Sequence, residues 1–202
     1  KSPVIISDTS NIEQSSKRII AGKTMNAGQI CLAPDYVLLP ENKLNKFVAH
    51  TKETVSSMFP SIKDNDDYTS VINERHYSRL KSYIDEAKDN GCEVIEINPA
   101  EEDFEQQEHY KIPPTLLINP DDNLKVMQEE IFGPILPIKT YKEFDETINY
   151  INKKDRPLGL YYFGNNNDEL SNVLDKTTSG GVTVNDVIFH VAQDNAPFGG
   201  VG

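Results

Sequence analysis

Asn26-Ala27-Gly28-Gln29-Ile30-Cys31-Leu32-Ala33-Pro34-Asp35-Tyr36-Val37-Leu38-Leu39 holds a helix stop, a turn and a strand in that order. Upstream, Ile12, Ile19 and Ile20, with Ala21 and Lys23, predict a helix running to about residue 24. Asn11 stands as its N-cap with Gln14 three residues on, as in a capping box. Before that, Val4-Ile5-Ile6 is a short apolar run that predicts a buried strand. Strand, helix and strand therefore follow one another at once, and Cys31 falls in the turn-rich link ahead of the second strand.

The same alternation continues outward. Leu44, Phe47, Val48, Thr51, Val55 and Met58 recur at helical spacing. Ile72, Leu80, Ile84 and Ala87 mark another helix, closed by Asn90-Gly91. Strands are expected at Cys92–Ile97, Thr115–Ile118, Ile135–Thr140, Leu160–Phe163 and Val182–Val184. Pro137 cannot donate to a ladder, so it is expected near an edge or bend. Helices are expected through Phe144, Ile148 and Ile151, and around Asp168–Lys176. This order predicts one α/β domain over residues 1–202, a largely parallel sheet with helices on both faces.

Composition narrows the function classes. Thirty-two acidic against 20 basic side chains give a net charge of -12, which disfavours general affinity for nucleic acid. The clusters at Asp64–Asp67 and Glu101–Glu105 read as solvated loops. No apolar run approaches the ~20 residues needed to span a bilayer. The chain starts without Met and without a signal-peptide layout, so its first residue is not expected to be a natural start. Two cysteines in an unstapled chain suggest a reducing, cytoplasmic setting. They could pair, but their spacing does not favour it. His50, His76, His109 and His190 are dispersed without metal-ligand spacing, so no metal is expected.

Most free cysteines are small buried hydrophobes, and Cys92, inside a strand-like run, fits that description. Cys31 differs, because a turn of small residues leaves room beside its sulfur and supplies backbone N–H groups. A Cys–His hydrolase using Cys31 and His190 is one reading. A non-catalytic interaction domain is another.

Four segments together resemble the aldehyde dehydrogenase superfamily. Asn26–Cys31 looks like its nucleophile motif, and Lys1-Ser2-Pro3 like the end of its Gly-Gly-Lys-Ser-Pro motif. Glu129-Glu130-Ile131-Phe132-Gly133-Pro134 matches its Glu-Ile-Phe-Gly-Pro motif, and Asn195–Gly202 resembles the start of its Pro-Phe-Gly-Gly motif. Ala33–Val37 and Gly180–Asp186 look most like the class 3 and coniferyl-aldehyde branch.

The resemblance implies an enzyme that oxidises an aldehyde to its acid with NAD or NADP. Cys31 would attack the carbonyl, forming a thiohemiacetal and then a thioester. A thiol suits this step because its thiolate is strongly nucleophilic even when few molecules are ionised. Glu130 would accept hydrogen bonds from the nicotinamide ribose, Phe132 would pack near the nicotinamide, and Phe198, Asn185 and His190 would line the substrate pocket.

The family's general-base Glu, oxyanion Asn, most of its dinucleotide-binding domain and its oligomerisation tail match nothing in these residues. The resemblance therefore implies a catalytic domain truncated at both ends and inactive alone, from a parent that is a homo-oligomer.

Overall fold

Short apolar runs stopped by Pro, Gly or Asn become strands here, and the 3.6-period segments between them become helices. The computed structural model describes residues 1–201. In chain order its elements are β1 (Pro3–Ile6), α1 (Ile12–Thr24), β2 (Tyr36–Pro40), α2 (Leu44–Met58), α3 (Glu74–Asp89), β3 (Glu93–Glu96) and β4 (Thr115–Ile118). There follow α4 (Lys125–Gln128), β5 (Ile135–Tyr141), α5 (Asp145–Asn152), β6 (Gly159–Phe163), α6 (Asn167–Lys176) and β7 (Gly181–Val184). The strands form one sheet in the order β3-β4-β5-β2-β1-β6-β7. Every pairing is parallel except that of β3 with β4. The α/β fold with a largely parallel sheet is as expected.

Side-chain alternation along the strands divides the interior in two. Val4 and Ile6, Val37 and Leu39, and Tyr161 and Phe163 pack with Ile19, Ile20, Phe47 and Val55 of α1 and α2. Ile5, Leu38 and Tyr162 point the other way and pack with Leu80 and Ile84 of α3, Ile148 of α5 and Val173 of α6. Both faces are thus covered by helices, which is why the central strands are apolar at every position rather than at every second one.

Local signals act where they stand. The Asn11 side chain accepts the Gln14 N–H at 3.1 Å, and that of Asn73 accepts the His76 N–H at 3.0 Å. Each satisfies a donor that the first turn of a helix leaves open.

Three expectations are corrected. Pro137 lies inside β5, two strands from the sheet edge, opposite Leu117 of β4. It is tolerated because the β5–β2 pairing begins only at Ile138, so no donor is needed from the proline on that side. Ile72 is not part of α3; it precedes the cap Asn73 and is 75% exposed. Glu102, within a cluster expected to be solvated, accepts the backbone N–H groups of Ile62 (2.6 Å) and Lys63 (3.1 Å). Its charge fixes a loop over the small cluster of Phe59, Ile62 and Tyr68.

Leu117 is fully buried between β3 and β5. Leu117→Ala should lower the unfolding free energy by about 3 kcal/mol, through lost transfer energy plus a residual cavity. Chemical denaturation at constant m-value checks it.

Candidate active site

In a parallel sheet the loops that follow helices lie at the amino ends of the strands. Four such loops meet the start of the chain here: residues 25–35 before β2, 129–134 before β5, 153–158 before β6 and 177–180 before β7. Hydrogen bonds tie them to one another and to the start of β4. Asp35 N–H donates to Ser2 O at 2.9 Å, Thr115 N–H to Pro134 O at 2.9 Å, and Gly180 N–H to Pro157 O at 3.1 Å.

Past α1 the chain turns through left-handed backbone at Asn26 (φ 50°), Ala27 (φ 52°) and Gly28 (φ 72°). Gly28 is required twice over. Its φ suits glycine, and a Cβ there would come within 2.4 Å of Gly133 O. The Gln29 side chain then ties the loop to residues 70–72, donating to Ser70 O at 3.0 Å and accepting Ile72 N–H at 2.9 Å. Ala33 N–H closes a turn onto Ile30 O at 3.0 Å, with Cys31 and Leu32 at its corners. Leu32 is 2% exposed and anchors the turn in the core, while Cys31 faces out as a free, exposed thiol. Cys92 is half-buried on the sheet edge, its thiol pushed up by burial.

Beneath this loop lies a buried charge cluster. Asp35, 4% exposed, accepts Ile131 N–H at 3.2 Å and lies 2.9 Å from Lys1 Nζ. Lys1 Nζ also donates to Val126 O at 2.8 Å and Glu129 O at 2.7 Å. Arg79 of α3 donates to Ile131 O at 2.7 Å, and Tyr83 donates to Glu129 Oε2 at 2.5 Å. These bonds hold residues 129–134 in an irregular path in which Phe132 adopts φ 47° and remains 37% exposed. The Glu130 carboxyl is raised, chiefly by burial. It shares a cleft of about 420 Å3 with Lys1, Met127, Gln128, Lys153, Lys154 and Asp155.

Lys23, at the end of α1, completes the cluster. It is 1% exposed, its Nζ has no hydrogen-bond partner among the described residues, and burial pushes its pKa down to about 8. Attraction by Asp35 offsets this only in part.

The remaining candidates divide. His190 joins the Cys31 region through Tyr161: its ring lies 6.2 Å from that of Tyr161, whose hydroxyl donates to Leu32 O at 2.6 Å. His190 Nδ1 is 2.8 Å from Thr183 Oγ1, and burial lowers its pKa. Phe198 is 55% exposed, and the neighbouring Gly200 N–H donates to Gly180 O at 3.2 Å, at the amino end of β7. Gly202, the last residue of that motif, lies outside the described residues.

Asn185 is not brought to this place. It follows β7 at the carboxyl end, where its side chain donates to Gly164 O (3.0 Å) and accepts Gly164 N–H (2.9 Å). With both amide atoms spent on the backbone at the far end of the sheet, it braces two strand ends instead of lining the expected pocket.

Sequence reading passed over Lys1 as a charge, and over Lys23, Asp35 and Tyr161. The one available signal was Asp35, an acid wedged between Pro34 and an apolar strand. Among the described residues no three His, Cys, Asp or Glu side chains cluster to hold a metal, and no helix is long and apolar enough to cross a membrane.

Known proteins agree with this architecture. The family model described as "Aldehyde dehydrogenase family" matches residues 1–202. A "Probable coniferyl aldehyde dehydrogenase" of Caulobacter vibrioides is 60% identical over the whole chain, which spans 42% of that protein. "Aldehyde dehydrogenase family 3 member A2" of Mus musculus is 45% identical over the whole chain, which spans 40% of it. The solved structure "Substrate bound state of Staphylococcus Aureus AldH" superposes with a TM-score of 0.90 at 37% identity, over 100% of this chain and 43% of that one.

Two substitutions probe the cluster. Gly28→Ala should cost about 2 kcal/mol or more, since it meets both a strained φ and the Gly133 carbonyl; thermal unfolding reads it. Lys23 titrates near 10.5 when unfolded and near 8 when folded. Between those values the unfolded chain binds more protons, so stability rises with pH across that window. Lys23→Met should raise the unfolding free energy at neutral pH by on the order of 3 kcal/mol and abolish that rise, as denaturant titrations on either side of the window will show.

On the match over its full length and on its fold, the chain belongs to the aldehyde dehydrogenase family, alongside coniferyl aldehyde and class 3 members.

Proposed function

We propose that these residues are the thiol-bearing catalytic domain of a longer enzyme that oxidises an aldehyde to its carboxylic acid with NAD or NADP. The observation that carries this reading is the contact of Gly28 with Gly133 O. It seats the turn that presents Cys31 directly against the segment that presents Glu130 and Phe132. Such packing supports reading the two segments as one site, with Cys31 as nucleophile and Glu130 and Phe132 for the nucleotide.

The donor set fits a nicotinamide nucleoside. Glu130 stands at the cleft with its carboxylate available to accept two ribose hydroxyls, and Phe132 offers a partly exposed aromatic face. When bound, the nicotinamide supplies the hydride acceptor.

The chain's own residues do the rest. Cys31 Sγ, as thiolate, attacks the aldehyde carbonyl, and the carbonyl π pair moves onto oxygen. The backbone N–H of Cys31 steadies that oxyanion, a type of contact whose loss typically costs ~3 kcal/mol of barrier. Once the carbon has given up its hydride, the acyl group remains on Sγ as a thioester, and water releases the acid and restores the thiol. His190 and Phe198 form part of the wall around the aldehyde. Both cysteines are free, in keeping with the reducing cytoplasm proposed for the parent.

The intact protein, given coniferyl aldehyde with NAD or with NADP, should reduce one of them in proportion to aldehyde. Cys31→Ser should lower kcat by at least about 10^3-fold. Glu130→Gln should raise the cofactor KM roughly tenfold through one lost charge-assisted hydrogen bond. The 202 residues alone should give no steady turnover, since the matched relatives are more than twice as long. Absence of aldehyde-dependent reduction of either nucleotide by the intact protein would sink the proposal.

A further inference from the structure

Tyr161 lies in the middle of β6 with no exposure. Its hydroxyl donates to Leu32 O at 2.6 Å, and its side chain lies in one buried cluster with Val187 and Ile188. Leu32 follows Cys31 within the turn that Ala33 N–H closes onto Ile30 O. One side chain therefore holds the turn carrying the thiol by a hydrogen bond and meets the loop at residues 186–192 by packing.

That loop needs gripping. Ile188 is β-branched yet adopts φ 66°, a conformation that persists only where the surroundings enforce it. Its neighbour Val187 packs against Gly22 at the end of α1, where a Cβ would meet Val187 Cγ2 at 2.4 Å. His190, two residues on, lies against the Tyr161 ring and over Gly181, where a Cβ would come within 2.6 Å of its Cδ2.

The space around the hydroxyl is closed as well. A Cβ on Gly159 would approach Tyr161 Oη to 3.0 Å and Leu32 Cδ2 to 2.8 Å. Burial drives the phenol up, so it stays a neutral donor throughout the range in which the thiol works.

We propose that Tyr161 is the positioning residue for Cys31. By fixing Leu32 O through its hydroxyl and packing its ring beside Val187, Ile188 and His190, it sets the thiol-bearing turn and the facing loop as a unit. The role rests on the reading of Cys31 as nucleophile. It assigns Tyr161 no contact with substrate.

Tyr162 supplies an internal control. It is the next residue, is equally buried and points to the opposite face, with its hydroxyl bonded to Asn166 O (3.1 Å) and Glu169 Oε2 (3.0 Å). In the intact protein, Tyr161→Phe and Tyr162→Phe each remove one buried hydroxyl from the same strand. Both should lower the thermal midpoint by a few degrees.

Only Tyr161→Phe should slow iodoacetamide alkylation of Cys31, followed at that peptide by mass spectrometry, and by at least threefold relative to Tyr162→Phe. Only it should cut kcat, at least tenfold, with the aldehyde KM moving less. A smaller difference in alkylation between the two variants overturns the assignment. Failure of the unmodified protein to oxidise aldehydes would strike the proposed function instead, because the alkylation comparison needs no turnover.

Discussion

A carboxylate with almost no access to water sits at the foot of β2, and the arrangement of the surrounding loops depends on how it is satisfied. Asp35 has Lys1 on one oxygen and the Ile131 N–H on the other. Lys1 in turn holds the carbonyls of Val126 and Glu129. Burying charge is unfavourable unless geometry and further hydrogen bonds compensate it. The cluster therefore accepts one arrangement of the segments before β1, β2 and β5, and that arrangement brings Gly28 against Gly133.

The location is unusual for the fold class. Open parallel sheets commonly bind ligands beyond the carboxyl ends of their strands. Here the exposed thiol, the Glu130 cleft and the glycine-rich approach to β7 all lie at the amino ends. The carboxyl end carries bracing contacts, such as the Asn185 amide on Gly164 and the Tyr141 hydroxyl on Ile6 O, beside a second cleft of about 420 Å3 lined by Asp8, Pro40, Glu41 and Tyr141. A loop that follows a helix can be held from two sides, by the helix it leaves and the strand it enters. The turn at Cys31 uses both, with Asp35 below and Leu32 gripped through Tyr161.

Four of the eight non-glycine residues with positive φ among the described residues lie in these loops. Asn26, Ala27, Phe132 and Ile188 are non-glycine residues with positive φ, and each belongs to a loop that meets the thiol or the Glu130 cleft. Backbone held in sparsely populated conformations persists only when the neighbours over-determine it. The paired lysine and aspartate, Arg79 on the 130–131 carbonyls and the Tyr161 phenol supply that over-determination.

Much of this was legible in the residues alone. Hydrophobic runs and periodicity located the strands and the longer helices, because burial on both faces of a sheet demands apolar residues at every strand position. Asn11 and Asn90-Gly91 announced helix ends, since caps act on the nearest backbone groups. Cys31 stood out because a turn of small residues is itself a local feature.

Only the tertiary structure could reveal that Asp35 is buried against Lys1 and Ile131, that Lys23 is buried without a hydrogen-bond partner among the described residues, that Asn185 braces a strand end, and that Tyr161 rather than Tyr162 reaches the thiol turn. Neighbouring residues on a strand have the same composition signal and opposite faces. Which face meets a loop from elsewhere in the chain depends on contacts between segments more than a hundred residues apart, and no local pattern encodes them.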